Sequence, residues 1–165
     1  LAIVLAAIGV VTLASQILPY RDAPAMHDIT TNVDDPPEFR ILPLREDNLV
    51  PFNNIAEWRA AHREYYPGIA PVIVEKSPQA VLADARTLME TRGWDVVDVD
   101  GAEGQIEGTA YAGFIRFRDD VIVQVTPIED GSTRVDMRST SRVGVGDLGF
   151  NARRVEEFLS DLQAM

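Results

Sequence analysis

Apolar positions along the chain fall into three regimes. Residues 1–18, LAIVLAAIGVVTLASQIL, are apolar almost throughout, with Thr12, Ser15 and Gln16 as the polar interruptions. A helix of that length reaches about 27 Å, close to the roughly 30 Å hydrocarbon core of a bilayer. The pattern predicts a transmembrane helix over 1–18. A signal peptide is the competing reading, with TLA before Ser15 as its cleavage site, but it would want a basic start and a shorter apolar run. Residues 19–53 lose all periodicity. Prolines recur in LPYRDAPA, DDPPEF and ILPLREDNLVPFNN; they block helix and hold the preceding backbone extended. This is an extended, proline-rich lead-in.

From residue 54 the periodicities return. NNIAEWRAAHREYYPG predicts a short helix opened by Asn53 or Asn54 and stopped at Pro67-Gly68, and IAPVIVE a short apolar strand. In SPQAVLADARTLMETRGW, Ser77 caps, Pro78 fits the first turn, and Val81, Ala85, Leu88 and Met89 form one face; Gly93 suits the end. WDVVDVD, GQIEGTAYAG, DVIVQVTPI and STRVDMRSTS read as strands joined by turns at DGAEG and EDGS. In the last, Val135 and Met137 alternate with Arg134, Asp136 and Arg138, the pattern of a half-buried strand. Val155, Phe158, Leu159 and Leu162 then mark an amphipathic closing helix with Asp147 as its N-cap. The expected fold class is α+β, an antiparallel sheet of about four strands with helices packed on one face, preceded by the N-terminal transmembrane helix. The expected divisions are 1–18, the transmembrane helix; 19–53, the lead-in; and 54–165, the globular domain.

Charge narrows the partners. The net charge is −11 and no charged side chain precedes Arg21. Such a chain has no means of releasing counterions from a phosphate backbone, so nucleic acid is excluded as a partner. The lack of cysteine removes disulfides, thiolate catalysis and zinc–thiolate sites together. The few bases beside the apolar run, Arg21 and Arg40 among many acids, favour a domain outside the cytoplasm, periplasmic or lumenal. The chain opens on Leu1, so further residues are expected upstream.

Candidate chemistry concentrates in VDMRSTSRVGVGDLGFNARR. If the strand stays regular, Arg134, Asp136, Arg138 and Arg142 share one side, while Ser139 and Ser141 point to the other. Guanidinium forks suit an anion or carboxylate ligand; an Arg–Asp ladder on a solvated sheet face is the plainer and favoured reading. HDITT with DDPP gathers His27, Asp28, Asp34 and Asp35. The run lacks the glycine and terminal glutamate of an EF-hand, and aspartate in such positions is ordinary turn chemistry, so no metal is expected. Asp119 and Asp120 would face opposite sides of a strand, a poor acid/base pair, and suit a hairpin corner better. No serine lies in a G-x-S-x-G context. Gly144, Gly146 and Gly149 match G-x-G-x-x-G formally, but no βαβ unit surrounds them. No catalytic residues and no cofactor follow from the residues.

Several ordered blocks together, HDITTNVDDPPEF, YPGIAP, IEGTAYAGFIRFRDDVIVQV and VDMRSTSRVGVGDLGFNARRVEEFL, resemble the domain-of-unknown-function family 1499 across roughly residues 26–163. Members are typically bacterial or plastid proteins preceded by hydrophobic segments, and no activity is established for them. The resemblance implies positions and no reaction: His27, Asp28, Thr30, Asp34, Pro36 and Pro37 at the start; Asp119 and Asp120 in the middle; Asp136, Arg138, Ser139, Ser141, Arg142, Asp147, Gly149, Asn151 and Arg154 at the end. Ala112 replaces a bulkier residue of the family pattern. The expected role is a non-catalytic, membrane-anchored accessory subunit, held in the lipid bilayer by residues 1–18. It would dock on the subunits of a larger membrane protein complex, of respiratory or photosynthetic type. The alternative is a small-ligand binder or enzyme using the Arg/Asp/Ser cluster with His27. Asp136, Arg138 and Arg142 are expected to pair with the HDITT or DD acids and clamp the lead-in onto the sheet.

Overall fold

A computed structural model describes residues 22–112 and 117–165. The helix expected over 1–18 and the side chain of Ala112 lie outside the described residues; among the described residues no helix is long and apolar enough to cross a membrane. The elements in chain order are β1 (Asp28–Thr30), α1 (Ile55–Tyr65), β2 (Val72–Val74), α2 (Pro78–Thr91), β3 (Asp95–Asp100), β4 (Gln105–Ala112), β5 (Phe117–Pro127), β6 (Thr133–Ser141) and α3 (Phe150–Ala164).

The class is α+β, and the sheet is antiparallel with six strands in place of the expected four. β3 to β6 form a meander, the four strands that alternation predicts. The outer edge of β6 takes two short strands in tandem: β2 against Val135–Thr133 and β1 against Thr140–Arg138. β1 comes from inside the lead-in, so that segment belongs to the sheet.

Local chemistry explains the helix ends. The Asn54 side chain accepts from the amides of Ala56 and Glu57, and Ser77 accepts from Ala80 N–H. α3 differs from expectation: the residue at its N-cap position is Gly149, at φ 81°, and makes no side-chain cap bond. Asp147 does the capping from two residues upstream, accepting from Gly149 N–H at 3.0 Å and from Asn151 N–H.

α2 and α3 cover one face of the sheet. Ile106, Val121, Val123, Val125, Val135, Met137 and Ile29 point into that layer and are all but inaccessible. Against them lie Val81, Ala85 and Met89 of α2 and Val155, Phe158 and Leu162 of α3. Trp94 stacks on Phe158 with centroids 5.3 Å apart. α1 stands elsewhere, at the outer edge of β1. There the Trp58 indole N–H donates to the Asp28 carbonyl (3.3 Å), and the Thr30 amide donates to His62 Nε2 (3.1 Å). A bare strand edge invites pairing with another chain, and these two buried aromatic side chains close this one.

The second face of the sheet is polar, yet much of it is covered. Every residue of β6 but Arg134 is buried, which corrects the expectation of a half-buried strand. The lead-in lies over this face. Glu107 of β4, 1% exposed, accepts from the amides of Arg40, Ile41 and Leu42, and Ile122 beside it is fully buried. Asp119 and Asp120 sit within β5 and not at a hairpin corner.

Candidate functional site

The suspected residues are brought together through the sheet, in two layers. On the helix side, Asp119 of β5 accepts from Arg154 of α3 at 2.6 Å. The same guanidinium donates to Ser139 Oγ (2.8 Å) and to the Asn151 side-chain oxygen. Asn151 in turn takes a bond from Ser139 Oγ (2.7 Å) and donates to Ser141 Oγ and to the His27 carbonyl, both at 2.9 Å. This network fastens α3 to β6 and to the residue that leads into β1.

On the far side, Arg138 of β6 grips Asp28 of β1 with two bonds, Nε at 2.9 Å and Nη2 at 2.7 Å, both groups being buried. Its Nη1 donates to the Pro37 carbonyl at 3.2 Å, and its guanidinium lies over the Phe39 ring. Asn48 donates to the Asp28 carboxylate and accepts from Thr140 Oγ1 (2.9 Å), so a lead-in side chain bridges two strands. Arg142 holds Asp120 with bonds of 2.8–3.0 Å and donates to Thr109 Oγ1. Asp136 accepts from Arg134 (2.7 Å) and from Thr31 Oγ1 (2.9 Å).

Two suspected residues stand apart. Asp34 is exposed and pairs with Arg63 of α1 at 2.5 Å; the bond from Arg63 holds its carboxyl below the usual range. His27 is buried, and its Nε2 has no hydrogen-bond partner. Burial, followed by the nearby Arg45, pushes its pKa down. Burial pushes Asp147 up, against the two amides that favour its charged form. His62, which the sequence left unassigned, is lowered to about 4 by burial, and its Nδ1 is also unpartnered.

Glu107, Asn48 and Thr31 were missed as members of these networks. Glu107 is the one acid of its strand, and nothing in its neighbourhood announces three amides from residues 40–42. Asn48 and Thr31 look like ordinary loop residues, since the β6 residues they bond, Thr140 and Asp136, lie 92 and 105 positions away.

Two grooves lie away from Arg138, Arg142 and Arg154. A groove of about 570 Å³ runs between the lead-in and the sheet, past Pro36, Gln105, Gln124, Arg134 and Asp136. Another of about 500 Å³ follows the outer edge of β3 past Arg86, Trp94 and Val97. Neither is lined by His27, Arg138, Arg142 or Arg154. Among the described residues no three of His, Asp or Glu gather so as to hold a metal ion.

The family model described as "Protein of unknown function (DUF1499)" matches residues 28–162. No curated protein matches the chain. Among solved structures, a conserved protein from Geobacillus kaustophilus aligns at 14% identity and a TM-score of 0.30, over 57% of this chain and 90% of its own. A second, the protein TTHA0849 from Thermus thermophilus, aligns at 14% identity and a TM-score of 0.31, over 58% of this chain and 86% of its own.

Proposed function

Because the chain belongs to the DUF1499 family, whose function is unknown, its role must be argued from its own residues, and we propose that it is a non-catalytic accessory subunit. It is anchored in a membrane by residues 1–18 and docks its domain on a larger membrane protein complex, outside the cytoplasm. One observation carries the non-catalytic part: Arg138, Arg142 and Arg154 each spend their guanidinium on a carboxylate of the same domain. A ligand claiming Arg138 or Arg154, both themselves buried, would strand a carboxylate that is at most 3% exposed, a cost of several kcal/mol. The cluster is thus suited to locking the lead-in and α3 onto the sheet. The membrane part rests on the apolar run and the absence of charge before Arg21.

A second reading, a small-ligand binder or enzyme using this cluster with His27, has one observation in its favour: the buried, unpartnered Nε2 of His27.

Purification separates the two. Tagged protein drawn from its native membranes in mild detergent should elute with integral membrane chains in fixed stoichiometry, and Arg138→Ala should melt at lower temperature. A chain that elutes alone, with a bound small molecule that Arg138→Ala loses at unchanged melting temperature, would establish the second reading instead.

A further inference from the structure

At the end of the sheet where β6 leaves and β1 enters, the loop 142–149 exposes apolar side chains. Val143, Val145 and Leu148 are 57%, 48% and 62% accessible, and Leu148 is the most exposed large apolar side chain among the described residues. Phe117, also exposed, opens β5 at the same end, where the Arg142 amide donates to the Arg118 carbonyl. Single exposed apolar residues are ordinary. Four at one end of one sheet, beside the exposed Arg118, form a patch.

The loop holds this shape at some cost. Leu148 sits at φ 56°, a left-handed conformation that glycine or asparagine would adopt with less strain. Exposed as it is, its side chain adds nothing to the core. The loop is also pinned from behind. Arg45 donates to the Gly144 carbonyl at 2.7 Å, and a Cβ on Gly146 would come within 2.9 Å of Ala25 Cα.

Ala25 also indicates what the patch meets. It packs on this loop seven residues after the apolar run 1–18 ends, and seven residues span at most about 25 Å. The chain therefore enters the domain at the patch. Resting on the membrane-anchored reading above, we propose that loop 142–149 and Phe117 form a membrane-contact surface. Val143, Val145, Leu148 and Phe117 enter the boundary between headgroups and acyl chains of the bilayer that holds residues 1–18, and Arg118 faces the lipid phosphates. The acidic hairpin at Glu129 and Asp130 lies at the opposite end of β5 and β6, away from that surface.

The lack of cysteine makes the test direct. Val145→Cys, Leu148→Cys, Glu129→Cys and Val11→Cys variants of the full chain are each labelled with an environment-sensitive fluorophore. They are then reconstituted into phosphatidylcholine/phosphatidylglycerol vesicles. Labels at Val145 and Leu148 should lose most of their emission to shallow lipid-borne nitroxides, and the label at Glu129 only to an aqueous quencher; Val11 reports the anchor itself. Lipid quenching at Val11, with only aqueous quenching at Val145 and Leu148, would overturn the contact and leave the anchor standing. Shielding of Val145 and Leu148 from both quenchers would mean that protein covers the loop, and would overturn it too. A Val11 label that lipid nitroxides do not reach would remove the anchor, and the contact with it.

Discussion

Asp28 and Arg138 form a buried pair whose partners come from opposite ends of the domain, and the two single truncations should not cost the same as the double. Arg138→Ala strands the carboxylate of Asp28 at 1% exposure, worth about 3–5 kcal/mol. For a domain of this size that lowers Tm by roughly 10 °C. Arg142 is a third exposed, so water offsets part of its loss, and Arg142→Ala should cost only about 1–2 kcal/mol. Replacing Asp28 and Arg138 together by apolar residues of similar volume should cost less than Arg138→Ala alone. Thermal melts of the four proteins check this order; equal effects of Arg138→Ala and Arg142→Ala would contradict it.

His62 makes stability depend on acid. Its folded pKa of about 4 lies below the ordinary 6.5. Between those values the unfolded chain takes up a proton that the folded one refuses. Stability contributed by the neutral ring is present above pH 6.5 and is lost as pH falls toward 4, by about 3 kcal/mol in all. His27, lowered by its own burial, acts in the same direction. Denaturant titrations from pH 7 to pH 4 should show this slope, and His62→Gln, whose amide oxygen can still accept from Thr30, should flatten it. A slope unchanged in His62→Gln would place the acid sensitivity elsewhere.

Among the elements, the lead-in is held from beneath by one side chain. Glu107 gathers three successive amides, bonds strengthened by its charge. Glu107→Gln should weaken them by about 1–3 kcal/mol and speed hydrogen exchange in residues 40–42, while β5 and β6 stay protected. Exchange read by mass spectrometry or NMR checks this; uniform acceleration across the sheet would show that the nest supports the whole fold. The elements that sequence periodicity recovers are those whose signals are local: Ser77-Pro78 opening α2, the 3–4 spacing of α3, the alternation in β3 to β6. β1 carries no such signal. Three residues become a strand because β6 offers an edge on one side and Trp58 and His62 close the other. The candidate cluster divides in the same way. Alternation placed Asp119 and Asp120 on opposite faces, as the structure has them, but their partners Arg154 and Arg142 are settled by packing 35 and 22 residues away. The count of strands and the covered polar face were missed because neither is a property of any single window of sequence.

At the scale of the whole molecule the architecture has three layers: helices, sheet, and a second cover made of the lead-in. A fragment beginning at residue 54 would lose β1, the amides that satisfy Glu107, and both Asp28 and Asn48. It should fail to fold as a stable domain, with a broad melt and dye binding to exposed apolar surface, whereas 22–165 should unfold cooperatively. A cooperative melt from 54–165 would show that the lead-in is an accessory and not a layer.

The tandem placement of β1 and β2 on β6 also bears on how the chain is made. Asp28 leaves the ribosome 110 residues before Arg138, a delay on the order of ten seconds at ordinary synthesis rates. Through that interval its carboxylate has no guanidinium to pair with and must stay solvated. The sheet's last seam closes once β6 and α3 have emerged, so completion of the domain waits on their synthesis, and a nascent chain stalled before residue 138 would remain a substrate for chaperones and proteases.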